Sequence, residues 1–225
     1  MIEVFLAGTV DYQLAWDWQR ARVEQVSRGE KPEALLLLQH PHVITLGRGS
    51  HDEHVLITAE EGFRRGVELV QVDRGGDVTY HGPGQLVGYP ILRLSRRGND
   101  ARQYLRDLEE VIIRSLRDYS LEATRKEGYT GVWVKDEKIA AIGVKLSRFR
   151  ESGFVTSHGF AINIHTDLSF FDLIVPCGIQ EYGVTSMRTL GVVCTLEEFT
   201  SRLLEHFGEV FEQPLDVKQV THLPI

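Results

Sequence analysis

The run Arg74-Gly75-Gly76-Asp77-Val78-Thr79-Tyr80-His81-Gly82-Pro83-Gly84-Gln85 gathers four glycines and a proline beside an arginine, a histidine and two hydroxyl side chains. A loop so rich in glycine lets backbone N–H groups approach a ligand closely, because no Cβ stands in the way. Arg74 adds a fixed charge with a fork of donors suited to a carboxylate, a phosphate or a polarised carbonyl. The spacing is neither G-x-G-x-x-G nor G-x-x-x-x-G-K-[ST], so it is not a dinucleotide fingerprint or a P-loop. Two readings stand: a wide connection between two strands, or a functional loop of the kind that carries binding chemistry.

Two further residues have nucleophile or acid–base potential. Cys177 sits between Pro176 and Gly178 at the end of an apolar segment. The thiolate is the reactive form, and a free cysteine is only a few per cent ionised at neutral pH, so a catalytic cysteine needs a nearby cation or base. The alternative is a small buried hydrophobe. Cys194, in Gly191-Val192-Val193-Cys194, lacks comparable flanks. Lys138 opens the apolar run Ile139-Ala140-Ala141-Ile142-Gly143. It reads either as a surface lysine laying its stem along apolar neighbours or, if folding brings it to the thiol, as a cation that favours the thiolate and exchanges protons. His51 and His54 lie three apart, but no third ligand follows at a recognised spacing and no H-E-x-x-H occurs, so no metal site is expected.

The stretch R-G-G-D-V-T-Y-H-G-P-G-Q-L-V-G-Y-P resembles the signature of the lipoyl(octanoyl) transferases, the octanoyltransferases of lipoate biosynthesis. Lys138-Ile139-Ala140-Ala141-Ile142-Gly143, Ser157-His158-Gly159-Phe160-Ala161-Ile162-Asn163 and Pro176-Cys177-Gly178-Ile179 agree in the same order, so the resemblance runs from about Leu35 to Arg188. It implies a biotin/lipoate protein ligase-like fold, a cytoplasmic enzyme and no cofactor. It also implies Cys177 as the nucleophile that takes an octanoyl group from acyl carrier protein. Lys138, opening the K-I-x-x-x-G motif, is then the catalytic lysine, and Lys145 falls outside that motif. The family's acyl contacts map onto Arg74, Gly75, Gly76, Asp77, Val78, Thr79, Tyr80 and His81, onto Ala141, Ile142 and Gly143, and onto Gly159, Phe160 and Ala161. The implied acceptors are lipoyl domains of 2-oxoacid dehydrogenase complexes and the H protein of glycine cleavage.

These residue types suit that task. Ala141, Gly143, Gly159 and Ala161 could wall an apolar slot, and the glycine loop could offer donors to a thioester carbonyl. One departure is Gln39 before His40-Pro41, where the resemblance leads us to expect Glu. The rivals are an ATP-dependent lipoate ligase on the same fold, a non-catalytic acyl-binding module and a cysteine hydrolase.

At 225 residues the chain is expected to form one domain spanning 1–225, with 42% apolar residues supporting an ordinary globular core. Its net charge of −7 argues against nucleic-acid binding. No apolar run is long enough to span a bilayer, and the N-terminus lacks a secretory pattern. Strands are predicted over 2–6, 34–38, 43–46, 67–72, 85–94, 131–134, 138–146 and 154–164. Asp11, Thr58, Asn99 and Thr195 are predicted to start helices, those at 58 and 195 through capping boxes, and 147–153 reads as a basic loop. Along 154–164, Phe154, Thr156, His158, Phe160 and Ile162 should share one face, with Val155, Ser157, Gly159, Ala161 and Asn163 on the other. Strands outnumber helices and hairpins dominate, so the class is α+β with a mixed, largely antiparallel sheet and flanking helices.

Overall fold

A computed structural model describes residues 1–175 and 182–224. An eight-stranded sheet runs in the order β11 (Leu215–Gln219), β1 (Ile2–Thr9), β2 (Ala34–Gln39), β6 (Gln85–Ile91), β10 (Gly153–Asn163), β9 (Glu137–Phe149), β8 (Tyr129–Val134) and β7 (Ala123–Lys126). Only β11–β1 and β1–β2 are parallel; the other neighbours are antiparallel. A second sheet holds β4 (Glu68–Gln71), β3 (Val43–Leu46) and β5 (Val78–His81). This is the mixed, mainly antiparallel α+β architecture expected, in the biotin/lipoate protein ligase-like fold. Among the described residues no helix is long and apolar enough to cross a membrane.

The large sheet is covered on both faces. Helices α3 (Ala101–Arg117) and α4 (Leu196–Val210) cover one, burying Leu108, Ile112, Phe199 and Leu203 against Leu86, Phe160 and Ile162. Helix α1 (Tyr12–Arg28) covers the other, with Ala15, Trp18, Val23 and Val26 against Leu36, Val87, Tyr89 and Ala161. That is a 3.6-residue stripe laid on alternate residues of buried strands. Asp11 caps α1 by accepting the Leu14 N–H, and Gly29 ends it with φ of 76°. The small sheet sits beside α1, which reaches it through Tyr12 and Trp16 against Val43, Val70 and Val72. Short helix α2 (Ala59–Arg64) precedes β4.

Several local expectations change. Asp100, not Asn99, caps α3, accepting N–H groups of Arg102 and Gln103. Asn99 instead takes φ of 55°. The Thr195 box is complete, whereas Thr58 caps α2 while Glu61 turns to Arg65. Strand β9 continues to Phe149, so the basic loop shrinks to the turn between β9 and β10. Within the glycine-rich run, residues 78–81 form a strand rather than loop.

Candidate functional site

A cleft opens where the small sheet, α1 and the centre of the large sheet meet. It is lined by Arg74, Gly75, Gly76, Asp77, Thr79 and His81 from the glycine-rich segment, and by Ala141, Ile142 and Gly143 of β9. Gly159, Phe160 and Ala161 of β10 also line it, so the acyl contacts expected from the sequence are present except Val78 and Tyr80. Three segments far apart in the chain therefore converge. The register explains the pairing: β9 and β10 match Ala141 with Ala161, Ile142 with Phe160 and Gly143 with Gly159. Ala141 and Ala161 point into the cleft, while Ile142 and Phe160 pack toward the helix-side core, leaving backbone at the cleft.

Two expected residues face elsewhere. On β5, Thr79 and His81 line the cleft, and strand alternation turns Val78 and Tyr80 to the opposite face. There they pack with Ile44, Phe171 and Ile174. Gly159 serves packing more than ligand room: a Cβ would come within 2.1 Å of the Gly88 carbonyl oxygen on β6.

The glycine loop is stitched down on both sides. Gly75 N–H donates to Val144 O at 2.9 Å, Arg48 N–H to Arg74 O at 3.0 Å and Gly49 N–H to Gly76 O at 3.0 Å. A Cβ on Gly47 would meet Gly76 O at 2.3 Å, so only glycine permits this approach. Asp77 accepts from its own chain at Val78 N and pairs with His54 at 2.5 Å. His54, weighed as a metal ligand, thus anchors the loop. Arg74 is buried, and its guanidinium donates to Thr45 O and Thr45 Oγ1, both at 2.8 Å, and to Gly75 O at 3.1 Å. Its stem lies over Gly143, where a Cβ would sit 3.1 Å from Arg74 Cδ. Arg74 therefore shapes the cleft wall as well as carrying charge, and the Gly75 N–H, already engaged, is not a donor for a thioester oxygen.

Lys138 begins a second, smaller cavity that shares Thr79, Ala141 and Ala161 with the cleft. Its backbone pairs with the segment after the undescribed residues: Lys138 N–H donates to Gly183 O at 2.9 Å, and Thr185 N–H donates to Lys138 O at 3.0 Å. Its ammonium lies 4.9 Å from the Trp133 ring centre. A buried polar chain ties this end to β5. His81 Nδ1–H donates to Gln85 Oε1 at 2.8 Å, Gln85 Nε2 to Asn163 Oδ1 at 2.9 Å and Asn163 Nδ2 to Thr185 O at 3.0 Å. Cys177 lies outside the described residues. Its described flanks are Val175, whose N–H donates to His54 O, and Tyr182. Cys194 packs at the rim of the helix-side core, where burial pushes its thiol pKa up.

Four cleft residues escaped the sequence reading: Tyr12, Val87, Tyr89 and His158. Tyr12 falls in the helix predicted to start at Asp11 and Val87 and Tyr89 in the strand predicted over 85–94, and nothing local shows which face meets the glycine loop. His158 defeats the alternation rule. Its φ of 54° turns the ring to the α1 side, against Trp16 and Tyr89, while Phe160 and Ile162 stay on the helix side. The His158 Nε2–H donates to Asp73 Oδ1 at 2.8 Å, and Lys145 pairs with the same carboxylate. These hydrogen bonds hold the Asp73 carboxyl well below the usual range, whereas burial pushes the His158 pKa down despite Asp73. Burial likewise takes His40 down to about 4 and His81 to about 3, so both imidazoles are neutral at pH 7. Gln39, the departure noted in sequence, accepts the Gly84 N–H at 2.8 Å through Oε1, a role a glutamate carboxylate would also fill.

The chain belongs to the lipoyl protein ligase A/B catalytic-domain family, whose model matches residues 11–208. It is 53% identical over 211 residues to the octanoyltransferase of Rubrobacter xylanophilus, covering 93% of each chain. It is 51% identical over 213 residues to the octanoyltransferase of Chloroflexus aurantiacus, covering 93% of this chain and 94% of the relative. Within the family it therefore stands with the octanoyltransferases, which are acyltransferase enzymes. The fold is shared with the bipartite lipoate protein ligase of Thermoplasma acidophilum, with a TM-score of 0.72 at 17% identity over 99% of this chain and 89% of that one.

Proposed function

We propose that this protein moves an octanoyl group from acyl carrier protein to the target lysine of lipoyl domains through a thioester on Cys177. The observation that carries the reading is the apolar cleft floored by Ala141, Gly143 and Ala161, which shares walls with the cavity beside Lys138. The Cys177 thiolate attacks the thioester carbonyl of octanoyl-acyl carrier protein, and the carrier leaves as its thiol after taking a proton. The acceptor lysine amine then attacks the acyl-enzyme carbonyl, an amide forms, the C–S bond breaks and the thiolate returns. Lys138 favours the thiolate and passes the protons. Octanoyl-acyl carrier protein is the donor, and lipoyl domains of 2-oxoacid dehydrogenase complexes and the glycine cleavage H protein are the acceptors. The site works in the cytoplasm, in a chain acting as one catalytic domain over 1–225.

Intact-mass measurement tests this directly. Octanoyl-acyl carrier protein should add one octanoyl group to the wild type and to Cys194→Ala, and none to Cys177→Ala. Turnover without ATP separates this reading from a lipoate ligase. Acylation of Cys177→Ala at a comparable rate would overturn it.

A further inference from the structure

Lys138 is held from the neighbouring strand. β8 and β9 are joined through Lys135, at φ of 54°, and Asp136, and their register sets Trp133 directly opposite Lys138. Directly opposed residues of an antiparallel pair stand close on one face. The lysine stem runs beside Gly131, where a Cβ would lie 3.6 Å from Lys138 Cδ and 3.5 Å from Cε. The ammonium then stands over the Trp133 ring, 4.9 Å from its centre, within the reach of a cation–π attraction. The ring is wedged in place. Trp133 is 1% exposed, and Tyr129 and Tyr182 meet it at steep angles with ring centres 5.9 Å and 5.6 Å away. The ammonium of Lys126 also approaches the ring, at 5.4 Å, but it pairs with Asp136 at 2.7 Å and lies nearer to Tyr182.

The indole carries a cost. Its Nε1–H is buried with no hydrogen-bond partner among the described residues. An unpaired buried donor lowers stability, and a phenylalanine would avoid that loss. What tryptophan adds is the aromatic face most attractive to a cation. We propose that Trp133 is a positioning residue for the transfer, its ring holding the Lys138 ammonium at the cavity that adjoins the cleft. Trp133 itself lines neither space, so it acts through the lysine. This rests on the reading above, in which Lys138 serves the acyl transfer.

The test follows octanoyl loading from octanoyl-acyl carrier protein by intact mass, against time and donor concentration. Trp133→Leu should lower the saturating rate about tenfold and leave the half-saturating concentration unchanged, because a displaced lysine costs rate and the ring touches no substrate. Trp133→Phe keeps an aromatic face and should stay within about threefold of the wild type. In the slower Lys138→Met background, adding Trp133→Leu should change nothing further, since no ammonium is left to hold. A Trp133→Leu rate equal to wild type overturns the proposal. So does a loss of the same size that recurs in Lys138→Met, which would mark ordinary packing. Either result leaves the transferase reading standing. If Trp133→Leu does not fold, tetrafluorotryptophan in place of Trp133 keeps the shape and weakens the negative ring face. It should slow loading, and a wild-type rate would overturn the proposal. Loading by Lys138→Met at the wild-type rate would instead overturn the lysine's role in the transfer, and this proposal with it.

Discussion

Lowering the pH from 7 to 5 should remove about 4 kcal/mol of unfolding free energy through His40 and His81. His40 is fully buried, with Nδ1 donating to Val10 O at 2.7 Å and Nε2 accepting from the Tyr89 hydroxyl at 2.7 Å. His81 donates from Nδ1 to Gln85. Burial pushes His40 down to about 4 and His81 to about 3, against an ordinary value of 6.5. The unfolded chain therefore takes up protons below about pH 6.5 that the folded chain refuses, and stability falls as pH falls. Each group contributes a slope of about 1.4 kcal/mol per pH unit, or about 2 kcal/mol by pH 5. Total stabilities run about 5–15 kcal/mol, so the loss is large. His158 and His165 are pushed down too and act in the same direction. Urea unfolding followed by circular dichroism at pH 7, 6 and 5 measures it, above the range where ordinary carboxylates titrate. Removing one titrating ring with His81→Asn should cut the slope by about half relative to the wild type. A wild-type free energy constant to within about 1 kcal/mol from pH 7 to 5 would refute the reasoning.

Other consequences are directly measurable. Gly143→Ala pushes a methyl against Arg74 Cδ at 3.1 Å and Gly75 O at 3.3 Å, and should cost about 1–3 kcal/mol in urea unfolding and slow octanoyl loading. Gly8→Ala, with nothing within 4 Å of the new Cβ, should leave both unchanged or stability slightly raised. Lys138→Ala should raise the pH midpoint of Cys177 alkylation by iodoacetamide by about one unit or more, with Lys145→Ala near wild type; the opposite pattern would reassign the lysine. If the basic turn between β9 and β10 helps to hold the carrier protein, Arg148→Glu with Arg150→Glu should raise KM for octanoyl-acyl carrier protein more than kcat falls, and an unchanged KM would refute that role.

Much of the molecule is legible in local pattern. Buried runs such as Leu35 to Leu38 and the Thr195 capping box each follow from one element's own chemistry, and each forms as read. The glycine run and the K-I-x-x-x-G segment are equally visible, because close backbone approach leaves a compositional mark. What tertiary structure alone decided is which faces meet. Val78 and Tyr80 are in the same run as Thr79 and His81, yet pack on the far side of β5, since alternation says that two faces exist and not which one meets the cleft. Tyr12 and Tyr89 join the site only because α1 crosses the sheet beside the small one. His158 shows the limit most plainly. One positive φ, held by Gln19 from α1 and by Asp73 from the glycine-loop approach, reverses the side chain that the strand period assigns, and both partners come from segments far from it in the chain.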